Sequence, residues 1–466
     1  MQRRDFVKIA GAAAGSALIA PHIFGKKLLF NKFTSDRPNI LLIMTDEQSA
    51  NAMSWRIGEN YLKTPVMDEI ARRGTFFNNT YCANPLCVPS RTSIFTGLYP
   101  HQTKVQTNSD IKVSVSSIKC MGTIFKEAGY DTGYTGKWHL PFPEKETSAH
   151  GFDYMRSIKN NGVDKDVPQS AAEFLKIKRD KPFLLVTSFV DPHNIAEWAR
   201  GENLPDGEIG TPPSADQCPP LLSNHLPMKN ESDADALIRK SFQMNKLFPV
   251  GNFDDTKWRQ YRWAYYRLIE KVDAQIGKVI SALKNSGNYE NTLIVFMSDH
   301  GDMQGAHLWS QKTILFEEAS RVPLIICDPG RSKHEELTPF VNTGIDLLPT
   351  LCDYAGIKIP GYLPGRSLKH IGNKEDREYI VVENKMIQGS PVDGIKPEPS
   401  GRMVRSKKYK YVVYDIGKRR ESLVDLENDP GEMVNLAEEK EYQGVLENHR
   451  QSLREWCKKY NDTFAI

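Results

Sequence analysis

Four stretches of this chain are predominantly apolar, without alternation, and then deliver an acid: "NILLIMTD" at 39–46, "FLLVTSFVDPH" at 183–193, "NTLIVFMSDHG" at 291–301 and "RVPLIICDPG" at 321–330. A strand with one wet face alternates apolar and polar residues. These do not alternate, so both faces must be covered, as in a parallel sheet between helical layers. Helical spacing closed by glycine fills the intervals: "TPVMDEIARRG" (64–74), "SIKCMGTIFKEAG" (117–129) and the long "WRQYRWAYYRLIEKVDAQIGKVISALKNSG" (258–287). "YDTGYTGKWH" (130–139) reads as a strand and then a loop. Strands alternating with helices predict an α/β fold, with a large, mainly parallel sheet flanked by helices.

Beyond about residue 355 the pattern changes. "REYIVVEN", "GRMVRSKKYKYVVYDIG" and "ESLVDLENDP" read as short strands joined by turns, and "YQGVLENHRQSLREWCKKYN" as a terminal helix. The expected organisation is a main domain over 37–355 and a smaller C-terminal α+β subdomain over 356–466 with a short antiparallel sheet. A chain of 466 residues has room for both. Residues 197–253, rich in Pro, Gly and Asn, read as a long surface excursion near the site.

The N-terminus, "MQRRDFVKIAGAAAGSALIAPHIFG", has paired arginines, a lysine and a weakly apolar Ala/Gly stretch. It resembles a twin-arginine export signal over 1–25, which implies a twin-arginine translocase as partner and a periplasmic or secreted bacterial protein. The apolar run is short for a stable membrane span, and no later segment reaches that length. Net charge is only +3, of which Arg3, Arg4 and Lys8 against Asp5 supply most, so no basic face for nucleic acid is expected. Seven cysteines (82, 87, 120, 218, 327, 352 and 457) form no CxxC pair, which argues against a zinc ribbon. In an exported protein some of the other six can pair, and Cys87 is the odd one if all six do.

Polar residues at the C-terminal ends of parallel strands line one crevice. The ends identified here deliver Asp46 and Glu47, Lys137 and His139, Asp191 and His193, and Asp299 and His300. Any single acid in such a place can simply cap the next helix; the whole set is harder to explain as packing. Carboxylates from two distant strands suit a hard cation such as Ca²⁺ or Mg²⁺, and a histidine among them leaves Mn²⁺ open. Lys137, His139, His193 and Lys312 make a cationic group that, with a divalent ion, would neutralise a tetrahedral anion. Trp138 between two polar residues implies alternation, with Lys137 and His139 facing the same way. In "NPLCVPSRTSIFTGLYPHQTKV", Arg91 lies four residues after Cys87, on the same face of a helix.

"CVPSRTSIFTG" resembles the signature of the type I sulfatases of the alkaline phosphatase-like superfamily: Cys, any residue, Pro-Ser-Arg, and a later Thr-Gly. Phe95 stands where that signature usually has Leu. "GKWHL" (136–140), "SDHGDMQGAHLWSQKTILFEEASRVPL" (298–324) and "LVDLENDPGEMVNLA" (423–437) resemble the family's other landmarks in the same order. The resemblance runs from about residue 37 to the C-terminus.

The resemblance implies an alkaline phosphatase-like fold and hydrolysis of sulfate esters, on a sulfated carbohydrate in an exported enzyme. It implies that a formylglycine-generating maturation enzyme reads Pro-Ser-Arg and oxidises Cys87 to formylglycine (3-oxoalanine). One hydroxyl of the hydrated aldehyde would attack sulfur, and loss of a proton from the other would release sulfate. Carried over position by position, Asp46, Glu47, Asp299 and His300 bind calcium beside residue 87, and Arg91 holds the formylglycine. Lys137 and Lys312 contact the sulfate, His139 assists the second hydroxyl, and His193 contacts the sulfate or protonates the departing oxygen. Glu47 departs from the aspartate frequent in the family, and His300 from the frequent asparagine. His307 faces the leaving group or only packs; Trp309 and Trp198 stack on sugar rings or only pack. The same signature and scaffold occur in phosphonate monoester and phosphodiester hydrolases, which share in-line displacement. A non-enzymatic carbohydrate-binding relative is a further alternative.

Overall fold

The computed structural model describes residues 37–247, 249–330, 333–371 and 376–466. The expected export signal lies outside the described residues. The main sheet has eight strands in the order β4-β3-β5-β1-β6-β7-β2-β8. In sequence they are β1 (Asn39–Asp46), β2 (Thr75–Tyr81), β3 (Asp131–Lys137), β4 (Tyr154–Ile158), β5 (Phe183–Pro192), β6 (Thr292–Ser298), β7 (Leu324–Cys327) and β8 (Glu335–Asn342). Neighbours are parallel except around β7, which is antiparallel to both β6 and β2. The expectation of a large, mainly parallel sheet is met.

The non-alternating pattern of β1 has the physical meaning expected of it. All eight residues are buried, with Ile40, Leu42 and Met44 in one apolar core and Leu41 and Ile43 in another. The first core is closed by the helices Cys87–Thr96, Met121–Glu127 and Thr343–Tyr354. The second is closed by Pro65–Arg73, Val167–Lys176 and the long helix Asp255–Asn285. Each fully buried Leu or Ile contributes about 1.5–3 kcal/mol, so this doubly covered strand is the thermodynamic centre of the sheet.

A second sheet of four antiparallel strands has the order β12-β11-β10-β9, with β9 at Tyr379–Lys385, β10 at Ser400–Ser406, β11 at Tyr409–Tyr414 and β12 at Glu421–Asp425. The terminal helix Gln443–Tyr460 buries Leu446, Leu453, Trp456 and Cys457 against one face. The other face packs on Met303, Ala306 and Trp309 and on a helix, Asp233–Gln243.

That helix corrects the reading of 197–253 as a surface excursion. The Ser232 side chain caps it by accepting from the Asp235 amide at 3.0 Å, and Ala234, Ile238 and Phe242 are buried at helical spacing. All seven cysteines are free, so none of the pairings open to an exported chain is made. Among the described residues no helix is long and apolar enough to cross a membrane.

Candidate active site

The strand ends converge as the topology requires. β1 and β6 are neighbours and end beside each other, which brings Asp46 to Asp299 and His300; β5 and β3 on the other flank bring His193 and Lys137. Cys87 opens the helix Cys87–Thr96, whose Pro89 sits in the first turn where its missing N–H costs nothing. The helix ends at Gly97, whose φ of 71° is one that glycine adopts without strain. Every residue of that helix is buried.

One ligand atom each from Asp46, Cys87, Asp299 and His300 lie within 4.8 Å of one another. The Cys87 Sγ is 3.1 Å from His300 Nε2 and 3.8 Å from Asp46 Oδ1. One helical turn further, Arg91 ties the two acids together. Its Nε donates to Asp299 Oδ2 and its Nη2 to Asp46 Oδ2, both at 2.7 Å, while Nη1 donates to the Lys137 carbonyl and to Ser188 Oγ. Lys137 Nζ lies 2.9 Å from Asp46 Oδ2. Lys312 Nζ lies 2.6 Å from Glu47 Oε2, and His193 Nε2 lies 3.9 Å from the same oxygen. The other Glu47 oxygen, Oε1, is buried with no hydrogen-bond partner among the described residues.

These contacts set the protonation states. Burial alone would raise the Asp46 carboxyl, but Lys137 and Arg91 hold it well below the usual carboxylate range. Burial and Asp46 push the Cys87 thiol up; Lys312, His300 and Lys137 outweigh them and bring it well below an ordinary thiol. Burial would neutralise His300, yet Asp299 raises it to about 9. Burial, with Lys137 and Lys312 alongside, lowers His193 to about 3. His139 is also lowered, chiefly by burial. His139 and His193 both approach the Cys87 sulfur, and each has a buried Nδ1 without a partner among the described residues.

The donors of the cluster fit a hard divalent cation, with carboxylates from two strands and one imidazole, while Glu47 groups with Asp46 and His193 on its flank. Beside it stand the cationic side chains of Arg91, Lys137 and Lys312, each paired with one or more of these carboxylates.

His139 reaches the site by a route other than the expected alternation. β3 stops at Lys137, and His139 has a φ of 46°, so a turn rather than the pleat aims its ring. Trp138 goes into the core against Tyr134 and His150. Two further candidates do not join the cluster. Trp309 is 1% exposed and stacks on Phe242 with centroids 5.3 Å apart, and His307 stacks on Phe316 at 4.0 Å. Trp198 is half-buried, with Lys257 Nζ 4.2 Å over its ring.

Several supporting residues escaped the sequence reading. From the long helix, Tyr265 donates to the Glu47 carbonyl at 2.8 Å and receives the Ser49 amide. One turn earlier, Tyr261 donates to Asp302 Oδ2 at 2.9 Å, and that oxygen also receives the Gln311 amide, next to Lys312. The signal was present as tyrosines at i and i+4, but buried tyrosines at that spacing are ordinary core residues.

Residues 38–357 match the family profile described as Sulfatase, and residues 305–459 match one described as N-sulphoglucosamine sulphohydrolase, C-terminal. A Delta 4,5-hexuronate-2-O-sulfatase of Bacteroides thetaiotaomicron is 31% identical over 92% of this chain and 90% of its own. A solved 2-O GAG sulfatase superposes with a TM-score of 0.78 at 27% identity, covering 91% of this chain and 93% of the other. The phosphonate monoester hydrolase of Agrobacterium radiobacter shares the fold, with a TM-score of 0.72 at 21% identity over 91% and 96% of the two chains. The chain therefore belongs to the sulfatase family of the alkaline phosphatase-like superfamily and is a sulfuric ester hydrolase.

Proposed function

We propose that this enzyme is exported and removes O-sulfate from an anionic carbohydrate, using a formylglycine made from Cys87 and a divalent cation, calcium in the first instance. The observation that carries this is the buried Asp46, Cys87, Asp299 and His300 cluster, with Lys137 and Lys312 on the adjoining carboxylates. The carbohydrate class is supported by the relatives, one named for a hexuronate 2-O-sulfatase activity and one as a 2-O GAG sulfatase.

In this reading Asp46, Asp299 and His300 hold the cation beside residue 87, and Glu47 joins them through its unpartnered Oε1. The cation supplies charge neutralisation and polarises the nucleophilic oxygen, while the hydrated aldehyde supplies the attacking hydroxyl. Arg91 fixes the two aspartates and the first turn of the helix that carries residue 87. Lys137 and Lys312 bind the sulfate oxygens. His193 hydrogen-bonds the departing ester oxygen, and His139 takes a proton from residue 87 as sulfate leaves. The balance is one water consumed per ester, giving an alcohol, sulfate and a proton.

Peptide mass spectrometry of protein from a host with the maturation enzyme should find an aldehyde in place of the Cys87 thiol. Matured enzyme should hydrolyse 4-nitrophenyl sulfate faster than 4-nitrophenyl phenylphosphonate, and should release sulfate from a 2-O-sulfated unsaturated hexuronate disaccharide. A large preference for the phosphonate overturns the sulfatase reading in favour of phosphonate hydrolysis. Activity that survives Cys87→Ala overturns the nucleophile. Export is tested by Arg3→Lys with Arg4→Lys, which should retain the protein in the cytoplasm; unchanged periplasmic recovery would remove the twin-arginine route.

A further inference from the structure

We infer that Asp164, far from every motif, is a positioning residue for His193; this rests on the sulfatase reading above. β5 pairs regularly with β1 and β3 only as far as Ser188. The β1 pairing jumps from Met44↔Ser188 to Asp46↔Pro192, so β5 carries extra residues opposite Thr45, and the β3 pairing ends at Gly136↔Ser188. The amides of Val190 and Asp191 thus lie in an irregularity that neither ladder serves. A buried N–H without an acceptor is costly, so this bulge needs its own acceptors.

Asp164 supplies both. Its Oδ1 receives the Val190 amide at 2.7 Å and its Oδ2 the Asp191 amide at 2.8 Å. The side chain is 1% exposed and stands on a short 3₁₀ turn, Asp164–Asp166, between β4 and the helix Val167–Lys176. The Val190 carbonyl then receives the His193 amide at 3.0 Å. A single carboxylate therefore fixes the two peptide units whose continuation aims His193 at the cluster. Bulges beside active sites re-aim side chains in this way. Asparagine at 164 keeps the shape but presents an NH₂ group to one of the two amides, and the bulge loses one anchor.

The test uses matured full-length enzyme, with wild type, Asp164→Asn, His193→Ala and the double variant. Each is assayed on 4-nitrophenyl, phenyl and 4-methoxyphenyl sulfate, a series of similar shape and worsening leaving group. A hydrogen bond to the departing oxygen matters least for the best leaving group. Asp164→Asn should cost at most about threefold in kcat on 4-nitrophenyl sulfate and about 30–100-fold on the poorer esters, the scale of a displacement of about 1 Å at a catalytic group. KM should stay within about twofold, and in the His193→Ala background Asp164→Asn should cost less than about threefold, because the two act through one group. Equal loss on all three esters, multiplicative effects in the double variant, or an Asp164→Asn protein unfolded at the assay temperature would each make Asp164 merely structural and overturn the inference. A matured wild type that turns over none of the sulfates removes the parent reading, and the inference with it.

Discussion

Arg91 is the residue on which the geometry of the cluster depends, and its removal has a calculable cost. Its guanidinium is fully buried and makes two charge-assisted bonds of 2.7 Å, to Asp46 and Asp299, plus bonds to the Lys137 carbonyl and Ser188 Oγ. Methionine at 91 keeps most of the length and none of the donors. Two charged hydrogen bonds at about 1.5–3 kcal/mol each give about 3–6 kcal/mol. Stranding one side of a buried ion pair independently gives about 3–5 kcal/mol. The expected loss for Arg91→Met is therefore about 3–5 kcal/mol in chelator-treated protein, read as a lower urea midpoint at unchanged slope. Arg91→Lys should recover less than half, because an ammonium lacks the planar fork that spans both carboxylates. A cation neutralises the same acids, so saturating calcium should shrink the deficit. A loss under about 1 kcal/mol, or full rescue by lysine, would refute the claim that the fork holds the two strand ends together.

Three other outcomes are expected. His101 donates from Nδ1 to Glu383 at 2.7 Å and from Nε2 to the Tyr460 carbonyl at 3.0 Å; burial opposes its charge, but these partners raise its pKa. Its stabilising contribution is complete below the unfolded value of about 6.5 and fades as pH rises through the higher folded value. The Tm gap between wild type and His101→Gln should accordingly be widest near pH 5.5 and close toward pH 9; a gap that widens with pH reverses the sign. Gly136 has a φ of 102°, and a Cβ there would collide with the Ser188 carbonyl. Gly136→Ala should cost more than the roughly 1–3 kcal/mol of backbone strain alone and lower kcat by moving Lys137, both measurable on the purified variant. Calcium at about 100 times its Kd should stabilise wild type by about 2.7 kcal/mol, and Asp299→Asn should abolish that shift in a thermal melt.

The main sheet was legible because burial on both faces leaves a mark unlike that of a half-wet strand: β1, β5 and β6 are buried throughout, predominantly apolar without alternation, and deliver their acids at or just beyond their ends. The edge strands β4 and β8 left no such mark, being partly exposed and mixed in character. The helix Asp233–Gln243 was hidden by its Pro- and Asn-rich surroundings, although its Ser232 cap and Ala234/Ile238/Phe242 spacing are in the sequence. For the site, the residues at strand ends could be read because topology brings strand ends together. His307 and Trp309 could not be assigned by proximity to Lys312 alone. The loop 303–311 turns back on itself, with the Met303 amide on the Gln311 carbonyl, and carries Trp309 into the core around Phe242. Asp164 was invisible for a different reason: it serves backbone amides in an irregularity of β5, and a bulge has no sequence signature of its own.

The charges of the cluster lead to a last consequence. Asp46, Glu47 and Asp299 face Arg91, Lys137 and Lys312, all buried. Both lysines that a sulfate would meet are thus already engaged by carboxylates, Lys137 by Asp46 and Lys312 by Glu47. A dication among the acids would take over their compensation, release Lys137 and Lys312 toward an incoming anion and make the cage positive. Sulfate and cation should therefore bind cooperatively, and by linkage each must raise the affinity of the other by one common factor. The check is isothermal titration of inorganic sulfate into calcium-loaded and chelator-treated protein, paired with calcium titration with and without sulfate. A factor of about 10 or more in both directions, about 1.4 kcal/mol of coupling, is expected. Equal sulfate affinity in the two forms would mean that the lysines hold the anion unaided, and that the ion pairs of Lys137 with Asp46 and Lys312 with Glu47 do not compete with the substrate.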